Sequence, residues 1–182
     1  MRTLGIAVLL ALAVGAGCKP VKPTSTAPAP AAAIPVEVTE IRYDALDAAV
    51  NERKGKVVLM DFWATWCGPC VKKFAHFVAT HKKYADKGLV CMSVSMDPKG
   101  KDDKSDKADV LKFLKNNEAT FANYTLLGTR NDGDNIVDRF GFAGYIPHQV
   151  LFDKQGNRVW TNAEKQLSES ALDKLIEAEL AK

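Results

Sequence analysis

Five consecutive residues, Trp66-Cys67-Gly68-Pro69-Cys70, constrain this chain more than any other feature, because they join two segments of different periodicity. Val57 to Trp63 is an apolar run broken only by Asp61, the pattern of a strand covered on both faces. Val71, Phe74, Phe77, Val78 and Tyr84 then recur at helical spacing until Gly88. Two cysteines three positions apart at a helix start have Cβ atoms within about 6 Å of each other. A disulfide needs about 3.8 Å, so a modest local adjustment lets the pair close and open. The helix N-terminus adds unpaired N–H groups and partial positive charge, which favour a thiolate on the first cysteine. Moving a thiol pKa from about 8.5 to 7 takes roughly 2 kcal/mol and lifts the thiolate fraction at pH 7 from about 3% to 50%. Cys67 therefore reads as the attacking sulfur and Cys70, one turn inside, as the resolving one. Cys91 lies in an apolar strand and reads as a buried, inert thiol.

The elements around this junction give an α/β order. Asp44 to Arg53 is a predicted helix, Leu89 to Met96 a second buried strand, Asp97 to Lys107 a charged loop, and Lys107 to Asn117 a helix. Tyr124 to Leu127 reads as a short strand, Thr129 to Asn135 as a loop and Ile136 to Phe140 as a short helix closed by Gly141. Gln149 to Phe152 and Arg158 to Thr161 flank Asp153-Lys154-Gln155-Gly156, a hairpin turn signal. Ser168 to Leu180 is a final amphipathic helix with Ser168 as its cap.

With 182 residues, 47% hydrophobic and 26% charged, the chain suits one globular domain. Arg2, Lys19 and Lys22 account for the whole formal charge of +3, and all three precede Val36. The domain itself has no basic excess, which argues against nucleic acid as a partner. Leu4 to Ala16 is the only long apolar run, and its 13 residues fall short of the roughly 20 a spanning helix needs. Residues 1–17 have the composition of a signal peptide. Cys18 follows the small-residue box Gly15-Ala16-Gly17 and resembles the lipidated cysteine of a bacterial lipoprotein, which would anchor the chain to a lipid bilayer; cleavage without modification of Cys18 is the alternative. Residues 18–35, rich in Pro and Ala, read as a tether, and residues 36–182 as the folded domain.

The segment Asp61-Phe62-Trp63-Ala64-Thr65-Trp66-Cys67-Gly68-Pro69-Cys70 resembles the active-site segment of thioredoxins, and Gly144-Tyr145-Ile146-Pro147 resembles that family's cis-proline loop. The leader, the tether and the insert-like stretch from Asp97 to Gly144 move the likeness towards the TlpA/ResA group, membrane-attached thiol–disulfide oxidoreductases outside the bacterial cytoplasm. The resemblance implies a thioredoxin-like three-layer sandwich, with a central mixed sheet, flanking helices and a C-terminal hairpin plus helix. It implies a monomer that works without a cofactor or metal on protein thiols and disulfides. Asp61 would be the buried carboxylate that takes the proton of Cys70; independently, it is the only ionisable residue of its strand, although a satisfied structural Asp fits the same position. Pro147 would be cis and lie against the disulfide, and the backbone of Ile146 would pair with an extended substrate segment. Trp66, Gly68 and Pro69 would form the rest of the substrate surface, while Trp63 packs. A Gly-Pro dipeptide between the cysteines resembles thioredoxin, whose potential lies about 150 mV below that of the oxidant DsbA, so reduction is the implied direction. Apocytochrome c thiols, as in cytochrome c maturation, or misoxidised envelope proteins would be substrates, with electrons from a membrane thiol carrier of the DsbD/CcdA type.

Two other chemistries compete. Cys-x-x-Cys is half of a zinc site, so a copper or zinc carrier is the alternative. His76 would lie about 13 Å along the helix from Cys67, too far to share a metal, which leaves His148 as the histidine able to converge. A peroxidase of the peroxiredoxin type would need a Pro/Thr-containing approach to a single reactive cysteine, which this segment lacks. Asp132-Gly133-Asp134-Asn135 lacks the rest of a calcium loop and reads as a turn.

Overall fold

Val57–Trp63 forms the central strand, β2, and all seven of its residues are buried. It pairs in parallel with β3 (Leu89–Ser95), Val57 opposite Leu89 and Trp63 opposite Ser95. On its other side it pairs antiparallel with β5 (His148–Phe152), Asp61 opposite Gln149. β1 (Thr39–Arg42), β4 (Ala122–Leu127) and β6 (Arg158–Thr161) complete a six-stranded mixed sheet in the order β1-β4-β3-β2-β5-β6. The structure, a computed structural model, describes residues 35–97, 103–127 and 133–182. The expected signal peptide, Cys18 and nearly all of the expected tether lie outside the described residues.

Side chains of a strand alternate between faces, and β2 divides accordingly. Val57, Leu59 and Trp63 pack with α2 (Gly68–Tyr84), α3 (Asp103–Asn116) and α5 (Glu169–Leu180), through Phe74, Phe77, Val110, Leu114, Leu172 and Ile176. Val58, Met60 and Phe62 pack on the opposite face with α1 (Tyr43–Asn51) and α4 (Gly133–Phe140), through Leu46, Val50, Ile136 and Phe140. The result is the expected three-layer sandwich. Phe74 joins the layers beneath α2: its ring lies 4.8 Å from Trp63 and 5.0 Å from Phe113 of α3.

Local chemistry explains the ends of the elements. Ser168 caps α5 by accepting from the Ala171 N–H at 3.2 Å. The β5–β6 turn is closed by Asp153, whose Oδ1 accepts from the N–H groups of Gln155 and Asn157 at 2.9 and 2.8 Å. Three elements differ from the sequence expectation. α4 starts at Gly133 instead of Ile136, so Gly133, Asp134 and Asn135, read as part of a turn, form its first turn; no apolar residue there marks the helical period, and residues 129–132 lie outside the described residues. β1 carries one buried residue, Ile41, in the polar stretch Thr-Glu-Ile-Arg, and is stabilised by pairing with β4 rather than by its own pattern. α3 starts at Asp103 instead of near Lys107, because its first turn contains no apolar residue to mark the helical period.

Phe74 is wholly buried. Truncating it to Ala lowers the unfolding free energy of the oxidised protein by about 3–5 kcal/mol, read from the urea midpoint at unchanged slope.

Candidate active site

The chain leaves β2 at Trp63 and turns at once. The Cys67 N–H donates to the Ala64 carbonyl at 3.1 Å, so residues 64–67 form one tight turn between the sheet and α2. Cys67 is the N-cap of α2 in an extended conformation, and Pro69 sits in the first turn, where its missing N–H leaves no bond unmade. Cys67 and Cys70 are joined as a disulfide with their Cα atoms 5.2 Å apart. The Cys70 N–H donates to Cys67 Sγ at 3.2 Å, which places an amide dipole of the helix terminus on that sulfur. Both cysteines are buried but not equivalent: the Cys67 residue retains 6% exposure and Cys70 1%, with Gly68 and Pro69 between them exposed.

Asp61 lies one β2 step before Phe62 and on the face covered by α2, the same face as Leu59 and Trp63. Its carboxyl is 3% exposed. Burial raises its pKa from 3.8 to about 7, with a Gln149 hydrogen bond and the positive charge of Lys73 pulling the other way. Cys91 is the free cysteine of the described residues; burial first, and the Asp61 charge second, push its thiol far above the usual range. That environment makes it inert, as the sequence suggests.

The Ile146–Pro147 peptide bond is cis. Gly144 precedes this loop at φ +85°, a left-handed conformation that favours glycine, and it turns Tyr145 outwards to 81% exposure. The loop is pinned by Asn162, the residue just after β6, which donates from Nδ2 to the Pro147 carbonyl at 3.0 Å and accepts from the Gln149 N–H at 2.8 Å. Nothing in the sequence singles out Asn162, since an Asn after a strand is an ordinary turn residue. His148 pins the other face, donating from Nε2 to the Phe140 carbonyl at 2.9 Å. Its ring lies 5.7 Å from Phe62 and 5.4 Å from Phe142, on the side of the sheet away from α2. His148 therefore cannot converge with the cysteines on a metal, and burial lowers its pKa. Among the described residues no group of three or more His, Cys, Asp or Glu is placed to hold a metal ion.

On the α2–α5 side a cavity of about 180 Å³ is lined by Lys73, His76, Gln149, Asn162 and Glu169, among others. Two of these, Lys73 and Gln149, are the groups that act on the Asp61 carboxyl. The sequence marks neither, because both sit in elements whose pattern reports only burial.

Comparison with known proteins gives a consistent assignment. Residues 27–159 match the AhpC/TSA family. The thiol-disulfide oxidoreductase ResA of Bacillus cereus is 29% identical over 126 residues, 69% of this chain, and the chain spans 63% of that relative's length. The thioredoxin domain of a thiol-disulfide oxidoreductase from Bacteroides vulgatus superposes with a TM-score of 0.54 at 26% identity, over 70% of this chain and 81% of that one. A thiol:disulfide interchange protein of the thioredoxin family from Chlorobium tepidum gives the same TM-score at 20% identity, over 71% and 83%, a likeness of fold. With its matched segment running from residue 27 into β6, and with a redox-capable cysteine pair at the head of α2, the chain belongs to the AhpC/TSA family and has a thioredoxin-like fold.

Proposed function

We propose that this protein exchanges thiols and disulfides with other proteins outside the cytoplasm, as a reductant, through Cys67 and Cys70. The observation that carries the reading is the unequal pair: Cys67 as the N-cap of α2, retaining slight exposure, and Cys70 inside the first turn, fully buried on the face that also holds a buried carboxyl. In the reduced protein the Cys67 thiolate attacks a substrate disulfide, and one substrate sulfur leaves as a thiolate. Cys70 then loses its proton to Asp61 and attacks Cys67 Sγ. The second substrate thiolate departs, and the protein is left as the disulfide described above. Two electrons have passed to the substrate and are restored by a membrane dithiol carrier of the DsbD/CcdA type.

The surface around Cys67 suits an extended polypeptide. Trp66 is 65% exposed beside it, and Tyr145 stands next to Ile146 and Pro147. A Cβ added at Gly68 would meet nothing within 4 Å, so glycine is not needed there for internal packing; it keeps the approach to Cys67 low. In this reading the backbone of Ile146 pairs with the substrate segment, and the cis Pro147 lies against the disulfide, as the family resemblance implies. Names of the relatives support exchange chemistry, and the ResA-type likeness supports an extracytoplasmic place; the lipid anchor at Cys18 and the tether over residues 18–35 rest on the sequence pattern. The metal-carrier alternative is weakened by the direction of His148, and the peroxidase alternative by the presence of a resolving cysteine three residues away.

Insulin reduction driven by dithiothreitol tests the activity directly. Turnover by metal-free protein is the expected result; tight stoichiometric copper binding without turnover would favour a carrier. Cys70→Ser traps a mixed disulfide through Cys67, identified by mass spectrometry, and trapping through Cys91 would contradict the roles. Asp61→Asn slows product release at pH 7 by about tenfold or more while leaving the first attack nearly unchanged, as resolved by stopped-flow kinetics. The same substitution has a pH-dependent effect on stability. Asp61 titrates at 3.8 in an ordinary setting and at about 7 when folded. Below about pH 3 both states are protonated and the carboxyl costs nothing; the cost grows as pH rises and is full above about pH 7. Asp61→Asn thus raises the stability of the oxidised protein by a few kcal/mol at pH 8 and leaves it unchanged at pH 3, as measured by thermal melts.

A further inference from the structure

Asp97 lies two residues beyond β3 and is 7% exposed, in a stretch whose sequence reads as a solvated loop. Its carboxylate is held by donors from two strand ends. The Thr65 N–H approaches Oδ1 and Oδ2 at 3.2 and 3.1 Å, and the Thr65 hydroxyl also donates to Oδ1. The Ser95 hydroxyl donates to Oδ2 at 2.6 Å, and the Asp97 N–H returns a bond to Ser95 Oγ at 3.1 Å. A further backbone bond, Met96 N–H to the Trp63 carbonyl at 2.7 Å, joins the two segments where the strands end. A buried carboxylate is costly unless such donors surround it, and an apolar residue would fill the same space without that cost.

Thr65 is the second residue of the 64–67 turn, and Cys67 is its last. Fixing Thr65 therefore fixes the turn that delivers the sulfur to the head of α2. We propose that Asp97 is a positioning residue for Cys67: acting through Thr65, it holds the turn so that Cys67 Sγ stays against the Cys70 N–H. The sulfur's acidity depends on that 3.2 Å contact and on alignment with the helix terminus, both of which are short-ranged. Ionisable side chains on the segments that meet there are Cys70, Lys72 and Lys73 in the first two turns of α2, Asp61 of β2, Asp97 past β3 and Tyr145 of the cis-proline loop. The inference takes from the exchange reading only that Cys67 is the reactive thiol. Alkylation can test it whether or not any protein substrate turns over.

The experiment is iodoacetamide alkylation of the reduced full-length protein between pH 4 and 10, with modification at Cys67 followed by mass spectrometry. Thr65→Val removes one hydroxyl and no charge. It is expected to raise the apparent pKa of Cys67 and to slow its alkylation at pH 7 by about fivefold, the effect of one hydrogen bond. Thr65→Ser keeps the hydroxyl and is expected to stay within about twofold of the parent. Asp97→Asn is expected to shift the profile in the same direction as Thr65→Val, because an amide oxygen cannot receive all of these donors. Lower melting temperatures with an unchanged pH profile in both variants would overturn the proposal, leaving Asp97 a purely structural residue. So would a lowered Cys67 pKa in Asp97→Asn with no change in Thr65→Val, the signature of a nearby negative charge acting alone. Should Thr65→Val fail to fold, Asp97→Asn against Thr65→Ser decides by the same signs.

Discussion

β2 has no exposed residue, yet it carries a carboxyl at its centre. The rest of the site depends on that burial. The strand is paired on both sides over most of its length, in parallel with β3 and antiparallel with β5. A slip of one residue would move Leu59 and Trp63 off the α2 face and bring Met60 and Phe62 onto it. The packing that fixes these hydrophobic side chains therefore also fixes Asp61 on the cysteine face. Once there, it is deprived of water, and its pKa moves into the range where a carboxyl can take and return a proton near neutrality. The hydrophobic core thus sets both the position and the basicity of the group.

The same logic applies to the sulfurs. Cys67 and Cys70 are three residues apart, but one lies outside the first turn of α2 and the other inside it. An N-cap side chain can accept from the helix's unpaired N–H groups, whereas a residue within the turn faces the core. The single bond from the Cys70 N–H to Cys67 Sγ expresses that division. In the proposed exchange it favours charge on the outer sulfur and leaves the inner one dependent on a local base.

Sequence patterns make the centre of the molecule legible and leave its pins illegible. β2 and β3 are readable because a strand-length apolar run is stable only where both faces are shielded from water, and α2 because Phe74, Phe77 and Tyr84 repeat on one face. The turn at Asp153 and the cap at Ser168 are short-range chemistry, visible within four residues. Asn162, Asp97 and β1 belong to another class. Each is held by a partner distant in sequence: Asn162 by Pro147, Asp97 by Thr65, and β1 by β4. Their residue types occur equally in solvated turns, so local pattern contains no signal for them. His148 is ambiguous in the sequence for a related reason. Which face a strand-start histidine takes depends on register with β2, and that register places it opposite Phe62 and away from the cysteines.

The arrangement separates two kinds of traffic. In the proposed reaction a substrate approaches Cys67 from the side of the exposed rings of Trp66 and Tyr145, and the mixed disulfide covers that side at the moment Cys70 must lose its proton. A base reachable only from there would be sealed off. Asp61 is instead touched by Gln149 and influenced by Lys73, and both of these line the cavity between α2 and α5. Asn162 lines the same cavity while bonding the Pro147 carbonyl, so the loop that would grip substrate and the polar space behind the carboxyl share one side chain. The polar groups that act on the carboxyl thus lie on the α2–α5 side of the site, apart from the exposed rings that would meet substrate.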